Sequence, residues 1–551
     1  MKRLEPEGRT LERRPNSPMM TAVTMAVVFV ACPVTAMELD TGTPDVKMRW
    51  DNTVKYSAGY RLHDPDPALS SDPSVANLND GDSNFRRGPI SNRLDLLSEF
   101  ETTYRTFGLR LSGAAWYDTV YNQHNDNTTG PVNSTEVADQ TSFTPYTRKV
   151  HGRKAELLDA FVSGRFDLGG RSATVRLGQH TVQWGETLFF GDNGIAGAMS
   201  PVDIAKALSV PNLRFQEILR PVPQVSGQLE INSRVTAYAY YQFRWRENRS
   251  PGSGSYFAPI DFGPGGNLIF TGPTSALSRL PTREGKDSGQ GGVSLRIRGD
   301  DVDYGIYAVR FNNKTSQIVS GPAGYYEAFH NGINAFGASA SRSIGLFNFA
   351  IEASIRNNQD LLSTNALDVG LGPTYAVGKT AHVNISAFGT NLGSTPLWSD
   401  ASLLAEIAFS RVLSVKSGAD TLSGCSPAFV PGSVCAPNGT RDAFRLQVLF
   451  EPVYYQVLPG LDLRTPIGVS YVPRGSRNMV GSAPLAENAG TLNVGISASY
   501  LDVWRAGLTY SHFYGSQGPF AGSVSPATQA FSYRNYYRDR DYVSFVLSRT
   551  F

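Results

Sequence analysis

The chain has 551 residues, 18% of them charged and 11% aromatic, with 54 glycines and a formal net charge of +2. It contains no run of about 18 apolar residues, which excludes a helical membrane protein. No linker or composition break divides it, so one large β-rich unit is expected.

The N-terminus has the three parts of a secretory signal. Lys2, Arg3, Arg9, Arg13 and Arg14 are basic, Thr21 to Cys32 is an apolar run, and Val34-Thr35-Ala36 supplies small residues for cleavage after Ala36. Removing its five basic and three acidic residues takes the formal charge from +2 to zero, so a nucleic-acid partner is not implied. Loss of Cys32 leaves Cys425 and Cys435, close together in a Gly, Ser and Pro-rich segment. An oxidising compartment would join them as a disulfide.

From Val46 onward, segments of ten to fifteen residues alternate between apolar and polar side chains, the pattern of a transmembrane barrel strand. In Arg234 to Arg246, Val235, Ala237, Ala239, Tyr241, Phe243 and Trp245 form a lipid face. Thr236, Tyr238, Tyr240, Gln242, Arg244 and Arg246 form a water face. The same division sets Phe347, Phe349, Ile351, Ala353 and Ile355 against Asn348, Glu352, Ser354 and Arg356, and Leu94, Leu96 and Phe100 against Asp95 and Glu99. A soluble β-sandwich also alternates. Three features favour the membrane: connections alternate between tight and long, Tyr and Trp gather near strand ends, and the chain closes as DYVSFVLSRTF. The girdle candidates are Trp50, Trp116-Tyr117, Trp184, Tyr240-Tyr241, Trp245, Tyr454-Tyr455 and Trp504. Arg549 interrupts the apolar face of the last strand, where its stem can snorkel to the interface.

The fold class is therefore an all-β transmembrane antiparallel barrel. Both termini of such a barrel lie on the periplasmic side, so the strand number is even. Asn365 to Val377, broken by Gly370, Gly372 and Pro373, is assigned to loop. Eighteen strands remain, with sixteen as the alternative. They begin near Val46, Asn92, Gly108, Ala155, Arg171, Pro223, Arg234, Ser288, Asp301, Glu327, Gly345, Thr380, Ala401, Ala443, Gly460, Gly490, Val503 and Asp541. The lumen face carries both signs, at Asp95, Glu99, Asp118, Asp159, Arg165, Arg176, Arg244 and Glu352. These charges either solvate the interior or set up a transverse field that sorts solutes.

One stretch breaks the β pattern. Gln183 to Pro223 has helical patterning and leaves the barrel from its outer rim after the fifth strand. Ser200 as cap, Pro201 at the first helical position and Asp203 near the positive end of the dipole predict a helix to about Ser209. A second short turn capped by Asn212 should reach Leu219. Ile204, Ala207, Leu208, Phe215, Ile218 and Leu219 make an apolar stripe that needs cover, and the barrel mouth is nearest. Residues 186–222 are expected to fold inward as a plug, with an external cap as the alternative.

Gln183-Trp184-Gly185-Glu186, Ser200-Pro201-Val202-Asp203, Arg214, Gln216-Glu217, Pro221-Val222-Pro223, Tyr240-Tyr241-Gln242, Tyr256-Phe257 and Arg538 to Ser544 together resemble the hallmark run of a large proteobacterial outer-membrane family. That family is catalogued as a domain of unknown function, number thirteen-zero-two. Ser200 stands where the family more often has Asn. The resemblance implies an outer-membrane β-barrel of a Gram-negative cell, encoded beside a periplasmic lipoprotein and an inner-membrane transporter of the resistance-nodulation-division class. It suggests exchange of hydrophobic compounds across the envelope.

No catalytic motif stands out: there is no G-x-S-x-G elbow, and the seven histidines lack metal-ligand spacing. His180, His330 or His512 could serve as a base only with a serine partner that the sequence does not reveal. Arg244 to Arg249 fits a rim beside anionic outer-membrane lipid. The acidic run holding Asp64, Asp66, Asp72, Asp80 and Asp82 could bind Ca²⁺, but it matches no EF-hand loop and reads as solvated. The sequence therefore points to a channel for hydrophobic or amphipathic small molecules, gated by the insertion and using no cofactor. The alternatives are a docking barrel for a lipoprotein and transporter, and an outer-membrane lipid-modifying enzyme.

Overall fold

The computed structural model describes residues 37–39, 42–128, 130–211, 215–525 and 527–551. The expected signal segment, Asn212 and Arg214 lie outside the described residues. Among those described, eighteen strands form one antiparallel barrel. They are β1 (Val46–Arg61), β2 (Gly88–Tyr104), β3 (Phe107–Asp118), β4 (Arg153–Asp167), β5 (Ser172–His180), β6 (Val222–Glu230), β7 (Val235–Gln242), β8 (Gln290–Arg298) and β9 (Asp303–Phe311). Then follow β10 (Ile333–Ile344), β11 (Phe347–Asp360), β12 (Val377–Gly389), β13 (Asp400–Ser417) and β14 (Asp442–Leu458). The ring is completed by β15 (Leu461–Arg464 and Ile467–Val472, interrupted at Pro466), β16 (Ala489–Tyr500), β17 (Trp504–Tyr514) and β18 (Tyr542–Thr550). Each strand pairs with the next, and β18 closes on β1 with Phe545 opposite Ala58.

Alternation produces this wall. On β11, Phe349, Ile351 and Ile355 are exposed while Glu352, Ser354 and Arg356 are buried. Apolar-out and polar-in is what lipid outside and water inside require, and closure leaves no unpaired edge in the bilayer. The chain is thus an outer-membrane β-barrel. Trp50, Tyr104, Phe107, Tyr304 and Tyr500 stand exposed toward the rim of short turns, and Tyr60, Tyr117 and Tyr241 toward the other rim. Arg549 lies 5.1 Å over the Trp504 ring, which accommodates the interruption in the last strand. The turn Leu168 to Arg171 shows how tight the short connections are: Gly169 and Gly170 both hold positive φ, 66° and 81°.

The structure corrects several sequence assignments. The tenth strand begins at Ile333, and Glu327 instead belongs to a hairpin, Gln317–Gly321 with Gly324–Ala328, in the long connection before it. In that hairpin Gly324 to Ala328 are buried on both faces. Four girdle candidates, Trp116, Trp184, Tyr240 and Trp245, face protein instead of lipid. Trp116 is buried on the inner wall, Trp184 packs on Tyr240, and Trp245 packs on Phe329. β7 ends at Gln242, so Arg244 is exposed in the following loop and does not line the lumen.

The acidic loop is not merely solvated. Asp66 and Asp72 cap helical turns, and Asp64 accepts from the Arg87 amide at 3.0 Å. Asp82 is buried between two guanidiniums, Arg61 at 2.9 Å and Arg540 at 2.8 Å, and Arg61 also reaches Asp539 at 2.9 Å. Phe85, Tyr256 and Phe257 pack around this cluster, and the Tyr256 hydroxyl donates to the Arg540 carbonyl at 2.9 Å. Three outer loops meet there.

Cys425 and Cys435 form a disulfide in the connection between β13 and β14. Closing so short a ring lowers the entropy of the opened loop by an equivalent of about 3 kcal/mol. A Cys425→Ala, Cys435→Ala double variant is expected to keep the barrel's heat-modifiable gel mobility while residues 418–441 are cleaved faster by protease. Equal cleavage would show that the bridge does not hold the loop.

Candidate functional site in the barrel lumen

The insertion leaves β5 and returns into β6, yet its hydrogen bonds reach β11 through β14. In a ring of eighteen, β14 is eight strands from β6 and nearly opposite it. The partners are the buried, inward-facing side chains of those strands, so the segment crosses the lumen.

Its first limb is held by two carboxylates and two guanidiniums. Glu352 on β11 accepts from the backbone N–H of Glu186 at 2.7 Å and of Ile195 at 2.6 Å. Glu406 on β13 accepts with a single oxygen from Leu188, Phe189 and Phe190 at 3.1, 2.5 and 3.0 Å. Three successive N–H groups converging on one carboxylate form an anion nest. The complementary end is capped by Arg356, which donates to the carbonyls of Asp192, Asn193 and Gly194 at 3.0, 2.9 and 2.8 Å. Arg445 on β14 pairs with Asp192 at 3.0 Å. Asn193 donates to Asn384, and its carboxamide oxygen lies 2.9 Å from a His382 ring nitrogen. A loop inside a protein must satisfy its own backbone, and here the barrel wall supplies the partners. Gly185 holds φ 101°, and a Cβ there would stand 2.2 Å from a Glu352 oxygen, so only glycine fits.

The apolar contact lies elsewhere than the expected stripe. Ile195, Ala198 and Met199, with Trp184 and Val182, pack on Tyr240 of β7, Tyr307, Val309 and Phe311 of β9, and Ile333 and Ala335 of β10. Ala207 and Leu208 are exposed instead. The helix spans Ile204–Ser209, and its cap is Asp203, accepting from the Lys206 N–H at 2.9 Å, whereas Ser200 donates to the Val182 carbonyl and Pro201 precedes the helix. Its buried residues are Ala205 and Lys206.

The second limb is ionic. Asp203 pairs with Arg249 at 2.5 Å, and Arg249 in turn pairs with Glu156 on β4. Glu217 meets Lys55 of β1 at 3.0 Å and Lys206 at 3.6 Å. Next to them, Trp116 lies under three cations: Arg93 at 4.8 Å, Lys154 at 5.9 Å and Arg249 at 5.9 Å. In the outer loop after β9, Lys314 donates to the Ala198 carbonyl at 2.9 Å, and burial pushes its ammonium down to about 7.

The predicted lumen charges divide. Glu352 holds the insertion. Asp95 pairs with Arg93 at 2.7 Å, while Glu99 and Asp159 share Arg110, at 2.6 and 3.3 Å. Arg176 lies 5.8 Å over Phe161, and Arg165 is exposed toward the short-turn rim. Asp118 is buried and accepts from the Ser91 hydroxyl at 2.6 Å. Glu406, Arg356 and Lys314 escaped the site prediction. The alternation that found Glu352 also puts Glu406 inward, between Leu404 and Ala408. Arg356 was on the polar face of its strand, but nothing local announces three carbonyl partners.

Of the histidines, His180 has a ring nitrogen 2.7 Å from the Ser226 hydroxyl, with its other nitrogen against the Gly178 carbonyl. His512 meets Asp541 at 2.6 Å and His330 meets Tyr375 at 2.9 Å.

A family description, "Protein of unknown function (DUF1302)", matches residues 17–551. The chain belongs to this family. A comparison with curated proteins returns no match. Among solved structures, OccAB4 of Acinetobacter baumannii aligns with a TM-score of 0.41 at 9% identity, over 94% of this chain and 100% of that one. OpdK of Pseudomonas aeruginosa with vanillate gives 0.39 at 10%, over 92% and 98%. OmpT of Vibrio cholerae gives 0.35 at 8%, over 94% and 100%. The architecture above rests on this chain's own strand ladder, whichever proteins it is compared with.

Proposed function

We propose that this member of the family is an outer-membrane channel for hydrophobic or amphipathic small molecules, with residues 186–222 as its gate. The observation that carries the reading is the apolar inner wall of Tyr240, Tyr307, Val309, Phe311 and Ile333, covered by Ile195 and Met199. A lumen serving only small ions would keep this wall polar. Uncovered, it offers an apolar solute a place to leave water, at roughly 25 cal/mol per Å² buried.

Export requires a leader, and we assign that role to residues 1–36. Transport coupled to a periplasmic lipoprotein and an inner-membrane transporter would use the short-turn rim. Its longest connection lies between β12 and β13, where Leu397 is 71% exposed. The reading needs no catalytic step and no cofactor.

Replacing residues 196–219 with a short Gly-Ser linker tests the gate. Liposomes carrying this variant are expected to swell faster in small solutes and to take up a fluorescent hydrophobe several-fold faster than wild type. Unchanged rates in a correctly folded variant would remove the gate from the reading. Capture of a lipoprotein with no uptake by either protein would favour the docking barrel.

A further inference from the structure

Beneath the outer loops, apart from the lumen crossing, lies a cavity of about 10 Å³ lined by Asp80 and Asn84, by Asn133 and Thr144, and by Ser253 and Asp261. That is room for one water-sized occupant. Four oxygens in its lining are buried and accept no hydrogen bond: Asn84 Oδ1, Asn133 Oδ1, Ser253 Oγ and Asp261 Oδ1. Their residues are at most 4% exposed. The carboxamide nitrogens are committed elsewhere. Asn84 donates to the Gly254 carbonyl at 2.8 Å, and Asn133 donates to Asn77 at 2.6 Å and to the Leu268 carbonyl at 2.9 Å. Both carboxamide oxygens are left without a partner.

We propose that this cavity is a calcium site that clamps three outer loops together, with Asp80, Asn84, Asn133, Ser253 and Asp261 as its oxygen donors. A water molecule has two protons and cannot serve the three unpartnered acceptors Asn84 Oδ1, Asn133 Oδ1 and Asp261 Oδ1, even with the Ser253 hydroxyl donating to it. One divalent cation accepts from all of them and balances the two carboxylates. The donors are hard oxygens of mixed type, which suits Ca²⁺ with its six to eight flexible ligands; Mg²⁺ keeps several waters, and this cavity has no room for them. Among the described residues no three His, Cys, Asp or Glu side chains gather as a metal group, and this donor set draws instead on amide and hydroxyl oxygens.

The local electrostatics agree. Burial and the facing carboxyl raise Asp80, and burial pushes Asp261 up to about 7. The other charged groups facing Asp261 are Asp82 and Arg540. Gly81 adjoins the site, and a Cβ there would meet the Ala258 carbonyl at 2.8 Å, so site and ionic cluster share one tightly packed turn.

The test uses the full chain in detergent, freed of lipopolysaccharide and stripped with EDTA. Titration calorimetry with CaCl₂ should give one bound ion per chain. At pH 8, millimolar CaCl₂ should raise the melting midpoint by roughly 2–4 °C over EDTA. MgCl₂ should raise it less. Asp261→Asn should abolish the shift and Asn133→Ala should weaken binding about tenfold, while Glu136→Gln, an exposed acid of the same loops, should leave both unchanged. No calorimetric binding with identical wild-type melting in EDTA and CaCl₂ would overturn the proposal. So would an equal Mg²⁺ shift, or a shift that survives Asp261→Asn. If Asp261→Asn does not fold, Asn133→Ala decides.

Discussion

Glu406→Ala is expected to open the lumen crossing, raising mean conductance in planar bilayers several-fold and exposing residues 185–199 to hydrogen exchange. One carboxylate oxygen serves three backbone N–H groups. Hydrogen bonds to a charged group are worth about 1.5–3 kcal/mol each, and three sharing one oxygen are not additive. Even so, about 3 kcal/mol is a cautious loss, because alanine leaves three buried donors unpaired. A shift of that size raises the population of the released segment roughly a hundredfold. Asn384, which donates to the same carboxyl at 2.7 Å, loses its partner too. Glu406→Gln keeps the shape and one acceptor, so its conductance should lie between wild type and Glu406→Ala. Wild-type conductance together with wild-type exchange protection in Glu406→Ala would show that the anion nest does not hold the crossing. Glu352→Gln at the neighbouring anchor supplies an independent check, since it weakens two N–H contacts at the first limb's ends.

The second large effect is expected at Arg540. Its guanidinium grips Asp82 through two nitrogens, at 3.0 and 2.8 Å, in a site where Arg61, Arg540 and Asp82 are all at most 1% exposed. Two cations face two carboxylates there, so the cluster is neutral. Arg540→Met leaves a buried negative charge uncompensated, which costs about 3–5 kcal/mol. The loops it joins, residues 62–87 and 515–541, should then be cut rapidly by protease in intact cells, while the barrel keeps its heat-modifiable mobility. Adding Asp82→Asn restores neutrality and should recover most of the protection. If the double variant is cut as fast as the single one, packing and not charge is the cause. Arg540→Lys should recover less than the double variant, because one ammonium cannot reproduce the two-point grip.

How much of this was legible depended on whether a signal was local. Leu94 against Asp95, or Ile351 against Glu352, states on its own which face meets lipid, because strand periodicity is two and the barrel has a polar inside. The same rule misplaced Trp116 and Trp245. An aromatic near a strand end fits both a girdle and an inner cation box, and only the partners of Arg93, Lys154 and Arg249 decide between them. The tenth strand's start was set at Glu327, six residues before Ile333. The insertion was visible as a break in pattern, but its cap was placed at Ser200, whereas the Asp203 carboxylate accepts from the Lys206 N–H. The apolar contact is made by Ile195 and Met199, which precede the helix, and Leu208 is left exposed.

By itself, then, the sequence determined that this chain is a transmembrane barrel of sixteen or eighteen strands with one segment set apart, because periodicity, turn length and parity are properties of neighbouring residues. Only the tertiary structure decided between the two counts and showed which strands hold that segment. The backbone amides of Leu188 to Phe190 reach Glu406 from 216 to 218 residues away, and Asp80 meets Asp261 across 181. No local pattern records which carboxylate will face an amide once the sheet has closed, since the closure of the ring is what brings them together.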